Sequence, residues 1–175
     1  PSEDAEQFEV YPNRDSIPFM KQYDFENDWK VKTFVRGTLR NIGWKEAWAD
    51  IFKKVDVLDL DTELDKLQGM SEELWSENCY EKNEPDRVVL NVSMRATKNR
   101  TTQFEKSYLL DAWGNERGTA MARLVSLPVA LAVEAIIKNE ITPGVSAAPK
   151  SPKLVKDWLK QVGNEAQILR LIDKT

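Results

Sequence analysis

The sequence predicts an α+β fold, a mostly antiparallel or mixed sheet with helices packed on it, and three observations carry that reading. Residues 87–97 alternate, with Val88, Leu90, Val92, Met94 and Ala96 on one side and Val89, Asn91, Ser93 and Arg95 on the other. The polar Lys98-Asn99-Arg100-Thr101 turn follows, and residues 102–113 continue in β-rich composition, so the pair predicts a hairpin. By contrast, Trp44, Ala47, Trp48, Ile51, Phe52 and Val55 recur at helical spacing, as do the apolar residues between Thr119 and Lys138.

In chain order, residues 8–12 read as a short strand running into an Asn13-Arg14-Asp15-Ser16 turn, and residues 31–41 as a second strand. From Trp44 an amphipathic helix begins, with Lys45, Glu46, Asp50, Lys53 and Lys54 on its polar side; its aromatic stripe reads as core. Thr62 with Asp65 three residues later fits a capping box, opening a helical stretch to about Tyr80 that Gly69 could break. After the hairpin, the Trp113–Gly118 loop leads into the helix at 119–138, where Gly118 would let backbone approach closely and Pro128 would interrupt the hydrogen-bond ladder and kink it. Pro143-Gly144 reads as a turn and Ala147–Pro149 as a linker. Ser151-Pro152 starts a last helix with proline at its permitted first position. The 175 residues form one domain, 1–175.

Composition excludes several chemistries. Cys79 is the sole cysteine, so no intrachain disulfide forms and a reducing, cytoplasmic setting is expected; its neighbourhood offers no basic partner that would make it a nucleophile. Histidine is absent, which removes Ser-His-Asp and Cys-His catalysis and the commonest metal ligand. The acidic residues Asp56, Asp59, Asp61, Glu63 and Asp65 do not make a calcium loop, since an EF-hand aligned on Asp59 would place Leu64 where glycine and Met70 where glutamate is needed. A net charge of −4 without a basic block speaks against nucleic acid, and no apolar run near 18 residues is apparent, so no membrane partner is expected. Asn91-Val92-Ser93 and Asn99-Arg100-Thr101 match the glycosylation tripeptide, a pattern common by chance. No glycine-rich phosphate loop is present. A start at Pro1, without signal-peptide features, suggests a fragment of a longer chain.

The most informative segment is Thr33–Arg40. As a strand it puts Phe34, Arg36, Thr38 and Arg40 on one face, with Gly37 on the other leaving room for a ligand or another backbone. Guanidinium forks are the side chains best suited to carboxylates, although solvated arginines on an exposed face give the same pattern.

Four runs take the reading further: Tyr11-Pro12-Asn13-Arg14-Asp15-Ser16; Arg36-Gly37-Thr38-Leu39-Arg40 with Gly43-Trp44; Met121-Ala122-Arg123-Leu124-Val125-Ser126-Leu127-Pro128-Val129; and Ile141-Thr142-Pro143-Gly144-Val145. In their order and approximate spacing they resemble saccharopine dehydrogenase, specifically the C-terminal, substrate-binding part of the glutamate-forming enzymes of lysine metabolism. The resemblance covers about residues 8–160.

It implies the C-terminal domain of a Rossmann-type dehydrogenase, with the Rossmann domain absent from this chain and NAD or NADP, undistinguished, bound mainly there. It implies oxidation of the secondary amine of saccharopine to L-glutamate and 2-aminoadipate 6-semialdehyde, with no catalytic residue and no metal in this fragment, which alone would be inactive. It matches Arg14 to the family's substrate-binding arginine and Thr38, Leu39 and Arg40 to its second substrate-binding segment, with Asp15 orienting Arg14. Arg36 is a neighbour for which an exposed or internally paired role fits equally well. Expected partners are the small-molecule substrate, the Rossmann domain and, as an open case, a second copy of the chain. Two alternatives remain: a carboxynorspermidine dehydrogenase-type polyamine enzyme, against which the Arg14 and Arg40 pair speaks, and a non-catalytic binding or oligomerisation domain of the same fold. An upstream Gly-x-Gly-x-x-Gly would separate enzyme from binding module.

Overall fold

The computed structural model describes residues 6–23, 25–26, 28–59 and 61–175, and divides them into two compact units, Pro1–Cys79 and Tyr80–Thr175. The described residues build an α+β architecture with two small antiparallel sheets, as the sequence predicts.

In the first unit, β1 (Phe8–Pro12) pairs antiparallel with β2 (Gly37–Asn41), in a register running from Phe8 opposite Asn41 to Pro12 opposite Gly37. The predicted strand at 31–41 is therefore mostly not a strand. Its partner runs out: after Pro12 one further bond, Asn13 N–H to the Arg36 carbonyl at 3.0 Å, extends the pairing before the chain turns into a 3-10 helix, Ile17–Tyr23. Phe34 instead packs with Tyr23 and Phe25 as edge-on rings at 5.8 and 5.4 Å. Gly37 is needed for the ribbon itself, since a Cβ there would meet Val10 Cγ1 at 2.8 Å and the Tyr11 carbonyl at 3.2 Å; the close approach comes from the neighbouring strand.

Helix α1 (Trp44–Asp56) forms as its period predicts, and its stripe packs on itself: Trp44 stacks on Trp48 at 5.3 Å and meets Phe52 at 5.5 Å and Tyr11 at 4.8 Å. Helix α2 (Leu64–Asn78) runs through Gly69 without a break and starts without the predicted capping box. The Thr62 hydroxyl donates instead to Asp59 at 2.9 Å, and Glu63 takes the N-cap position with its carboxylate turned back to the Asp59 N–H at 3.1 Å. No described residue of this unit is fully buried.

The second unit holds a three-stranded sheet in the order β3-β4-β5. β3 (Arg87–Lys98) and β4 (Thr101–Trp113) pair along their whole length, joined through Asn99 and Arg100 at φ 52° and 64°. Two successive residues in that left-handed region are what a tight two-residue hairpin turn demands, and asparagine tolerates it best. A bulge sits at Ala96/Thr97. β5 (Ile168–Asp173) adds to the other edge of β4; the sequence reading ends with α4 and does not anticipate this strand.

Two helices cover one end of the sheet, α3 (Ala120–Ile137) and α4 (Pro152–Gly163). The core is Leu110, Ala112 and Ala120, with Val88, Leu124, Val162, Ala166 and Leu169 packed against it. Farther along the same sheet face Leu90, Val92 and Met94 stay about half exposed, so the alternation of β3 is only partly used for burial here.

α3 continues through Pro128, and Gly118 meets nothing within 4 Å; it serves its turn through φ +127°. With 18 residues and a mean hydropathy of 1.9, α3 is long and apolar enough by length and composition to cross a membrane, contrary to the sequence reading; Arg123 and Glu134 interrupt the apolar letters without lowering their mean much. Its first turn is nonetheless bound to the sheet. Asp86, buried just before β3, accepts from the Ala120 N–H at 2.7 Å and the Met121 N–H at 2.9 Å, while the Thr119 hydroxyl accepts from Ala122 N–H at 3.2 Å. The Asp86 carbonyl takes the Gly114 N–H at 2.8 Å, and any Cβ at Gly114 would stand 2.6 Å from Asp86 Oδ1.

One turn into α3, Arg123 donates to Glu165 at 2.8 Å and to the Trp113 carbonyl at 2.7 Å, and Arg117 joins the same Glu165 oxygen at 2.5 Å. The Arg123 hydrogen bond holds the Glu165 carboxyl below its ordinary value, so its contribution is present above pH 4.5 and is lost as pH falls through the lower folded value.

Asp86→Ala leaves two helix-terminal amides without acceptors in a buried place, and should lower unfolding free energy by on the order of 2–4 kcal/mol, against about 1 kcal/mol for Thr119→Ala. Urea denaturation of both variants measures the difference. A loss no larger than that of Thr119→Ala would show that the two amides do not depend on Asp86.

Candidate functional site

The residues matched to substrate binding all lie in the first unit, on or beside the β1–β2 ribbon. Cross-strand pairing puts Glu9 opposite Arg40 and Tyr11 opposite Thr38, and the alternation of the strands places these four on one face. Thr38 and Arg40 thus share a face, as expected, and Leu39 points to the other, opposite Val10. Phe34 and Arg36 precede the strand.

Arg40 is exposed; its Nη1 donates to the Leu39 carbonyl at 3.1 Å, and its guanidinium lies over the Trp44 ring at 5.7 Å. Arg14, at the tip of the 13–16 turn, is exposed and makes no side-chain hydrogen bond or ion pair among the described residues. Asp15 does not orient it: the Asp15 carboxylate accepts from Ile17 N–H at 3.0 Å and starts the 3-10 helix. A local bond of this kind is the usual choice of an aspartate two residues ahead of a turn.

What the sequence reading missed is the scaffold of the site. The Glu9 carboxylate accepts from Gly43 N–H at 2.9 Å, Lys45 N–H at 3.0 Å and the Tyr11 hydroxyl at 2.5 Å, so a strand residue satisfies amides at the start of α1. Gly43 itself sits at φ +90°, in the left-handed region that glycine enters without strain. This junction fixes Trp44, the ring beneath Arg40. On the opposite side, the Arg36 N–H donates to Ser16 Oγ at 2.9 Å while its carbonyl accepts from Asn13, so residues on both sides of Arg14 are tied to Arg36. Period-two alternation could have placed Glu9 opposite Arg40 had the register been known; nothing in the local sequence announces a cap supplied from 34 residues away.

The electrostatics of the face are set by this wiring. The hydrogen bond from Tyr11, then those from the Lys45 and Gly43 amides, hold the Glu9 carboxyl below its ordinary range. The same bond pushes the Tyr11 phenol up to about 12. Glu9 and Tyr11 are thus committed to each other and to α1, leaving the arginines as the charged groups free to meet a ligand. They can bind anions. On the side of β2 away from β1 no strand lies among the described residues, so alternate backbone groups are also open to hydrogen bonding.

A pyrophosphate is usually held at a helix N-terminus. Here the first amides of α1 and α3 are already taken by Glu9 and Asp86. Two clefts of the second unit, about 300 Å³ between α3 and α4 and about 370 Å³ beside Asp86, contain none of the matched residues.

Tyr11 should titrate at about 12, and Glu9→Gln should bring it back toward 10.0, followed by NMR of the labelled tyrosine ring. Because the bond needs the neutral phenol, it stabilises the fold fully below pH 10 and is lost as pH rises through about 12. A Tyr11 that titrates at its ordinary value in the unaltered chain would mean that the bond does not form in solution.

Neither a curated protein nor a solved structure matches the chain. Residues 2–168 match the saccharopine dehydrogenase C-terminal domain, nearly the full length and across both the ribbon with its arginines and the hairpin with its helices. The chain belongs to the saccharopine dehydrogenase C-terminal domain family.

Proposed function

We propose that this chain is the substrate-binding domain of an NAD(P)-dependent saccharopine dehydrogenase, anchoring saccharopine while its secondary amine is oxidised to yield L-glutamate and 2-aminoadipate 6-semialdehyde. The observation that carries the proposal is the state of Arg14 and Arg40. Neither has a carboxylate partner among the described residues, while the acids nearest in the pairing and the turn, Glu9 and Asp15, are spent on the chain's own amides. A face with open cations and committed acids suits carboxylates. A polyamine substrate such as carboxynorspermidine needs the reverse, which is why that alternative ranks second.

The nicotinamide cofactor belongs to a separate Rossmann domain in this reading. This chain's residues bind and orient: Arg14 and Arg40 each hold a carboxylate, and Thr38 and the backbone at Leu39 supply hydrogen bonds. Fixing an extended substrate at more than one point aligns its reacting carbon, and orientation of this kind accounts for much of an enzyme's advantage over an encounter in water.

In the enzyme that joins this domain to its cofactor domain, Arg14→Ala or Arg40→Ala should each cost on the order of 1.5–3 kcal/mol, hence roughly ten- to a hundredfold in kcat/KM for saccharopine. Cofactor affinity should hardly change, and Arg95→Ala, on the exposed half of β3, is the control. Wild-type saccharopine kinetics in both folded variants would refute the assignment, and a loss seen only with a polyamine would select the alternative. The 175-residue chain alone should form no reduced cofactor from saccharopine; turnover proportional to its concentration would count against the division of labour.

A further inference from the structure

Arg36 is tied into the first unit by backbone and ring contacts, and the assignment above leaves it without a role. Both of its backbone groups are used, the N–H on Ser16 Oγ at 2.9 Å and the carbonyl on Asn13 N–H at 3.0 Å. Those two residues flank Arg14, so the turn that carries Arg14 and the chain that carries Arg36 are one hydrogen-bonded structure. Its guanidinium carbon lies 3.8 Å from the centre of the Phe19 ring, on the 3-10 helix that follows the same turn. No carboxylate pairs with it among the described residues.

A guanidinium against a ring face uses its π surface and keeps its N–H edges pointing outward. The stack therefore holds the fork still without consuming its donors. In the second unit the corresponding donors are already taken: Arg87 lies over the Trp113 ring at 5.0 Å but also pairs with Asp111 at 2.7 Å, and Arg117 and Arg123 share Glu165. Ring-mounted and unpaired is an arrangement that a bidentate anion completes.

Resting on the saccharopine reading, we propose that Arg36 is the third anchoring arginine, taking the third carboxylate of a tricarboxylate substrate beside those held by Arg14 and Arg40. Three open guanidinium groups around one ribbon match the three carboxylates of saccharopine, and the Phe19 stack presents this one preorganised. Removing it should therefore weaken ligands with three carboxylates selectively.

Binding to the enzyme that joins this domain to its cofactor domain is followed by calorimetry, with saccharopine and with its analogue in which one carboxylate is replaced by an amide, prepared for each of the three positions. Arg36→Met, which keeps an apolar stem on Phe19, should lose about tenfold or more in saccharopine affinity. It should bind one of the three amide analogues as well as the unaltered chain does, while Arg36→Lys recovers part of the loss. If Arg14→Ala and Arg40→Ala lose affinity but Arg36→Met does not, the third anchor is refuted and the substrate assignment stands. If Arg36→Met weakens saccharopine and every analogue equally, its role is structural and the proposal is overturned. Failure of that enzyme, unaltered, to bind saccharopine at millimolar concentration overturns both readings.

Discussion

The carboxylate of Asp86 is the joint on which the second unit depends. A helix of 18 residues ends in amides with no intrahelical acceptor, and in a buried location each must be answered by protein. Asp86 answers two of them, and its own carbonyl holds Gly114 across the mouth of the hairpin. One residue thus links the start of β3, the end of β4 and the start of α3, which sets where Ala120 and Leu124 meet Leu110 and Ala112. The apolar core is small, so its position has to be specified by polar groups of fixed geometry.

The first unit repeats the device with less apolar support. Glu9 does for α1 what Asp86 does for α3, reaching from a strand to a helix N-terminus, but here rings stand in for an aliphatic core. A two-stranded ribbon is marginal by itself. The aromatic contacts on one side and the Ser16–Arg36–Asn13 bonds on the other supply what the missing strands would. The residues proposed to bind substrate sit between those two supports.

How much of this could be read from the chain follows from how local each signal is. The hairpin, α1 and α3 announce themselves through periods of two and 3.6, because their burial patterns repeat within a dozen residues. β5 was not read because Ile168–Asp173 is short and carries Arg170 and Asp173, and only pairing with β4 makes it a strand; Lys106 meets Asp173 there at 2.8 Å. The strand predicted from 31 was too long because a strand ends where its partner ends, and β1 ends at Pro12. At the site, Arg14, Thr38, Leu39 and Arg40 came from motif resemblance, which the family match supports at the level of the domain. Glu9, Ser16 and Phe19 escaped notice because their partners are remote in sequence. Asp15, read as a partner for Arg14, illustrates the opposite error, since the amide two residues on was the nearer claimant.

That no described residue of the first unit is fully buried bears on how such a domain changes over evolutionary time. Where side chains are half in water, a substitution opens no cavity and strands few polar groups, so its cost in stability stays near the small values of surface positions. The ribbon can therefore trade one arginine or one ring for another at little cost to its own fold. A proposed binding face built on such positions lets a lineage explore new ligands without passing through unfolded intermediates.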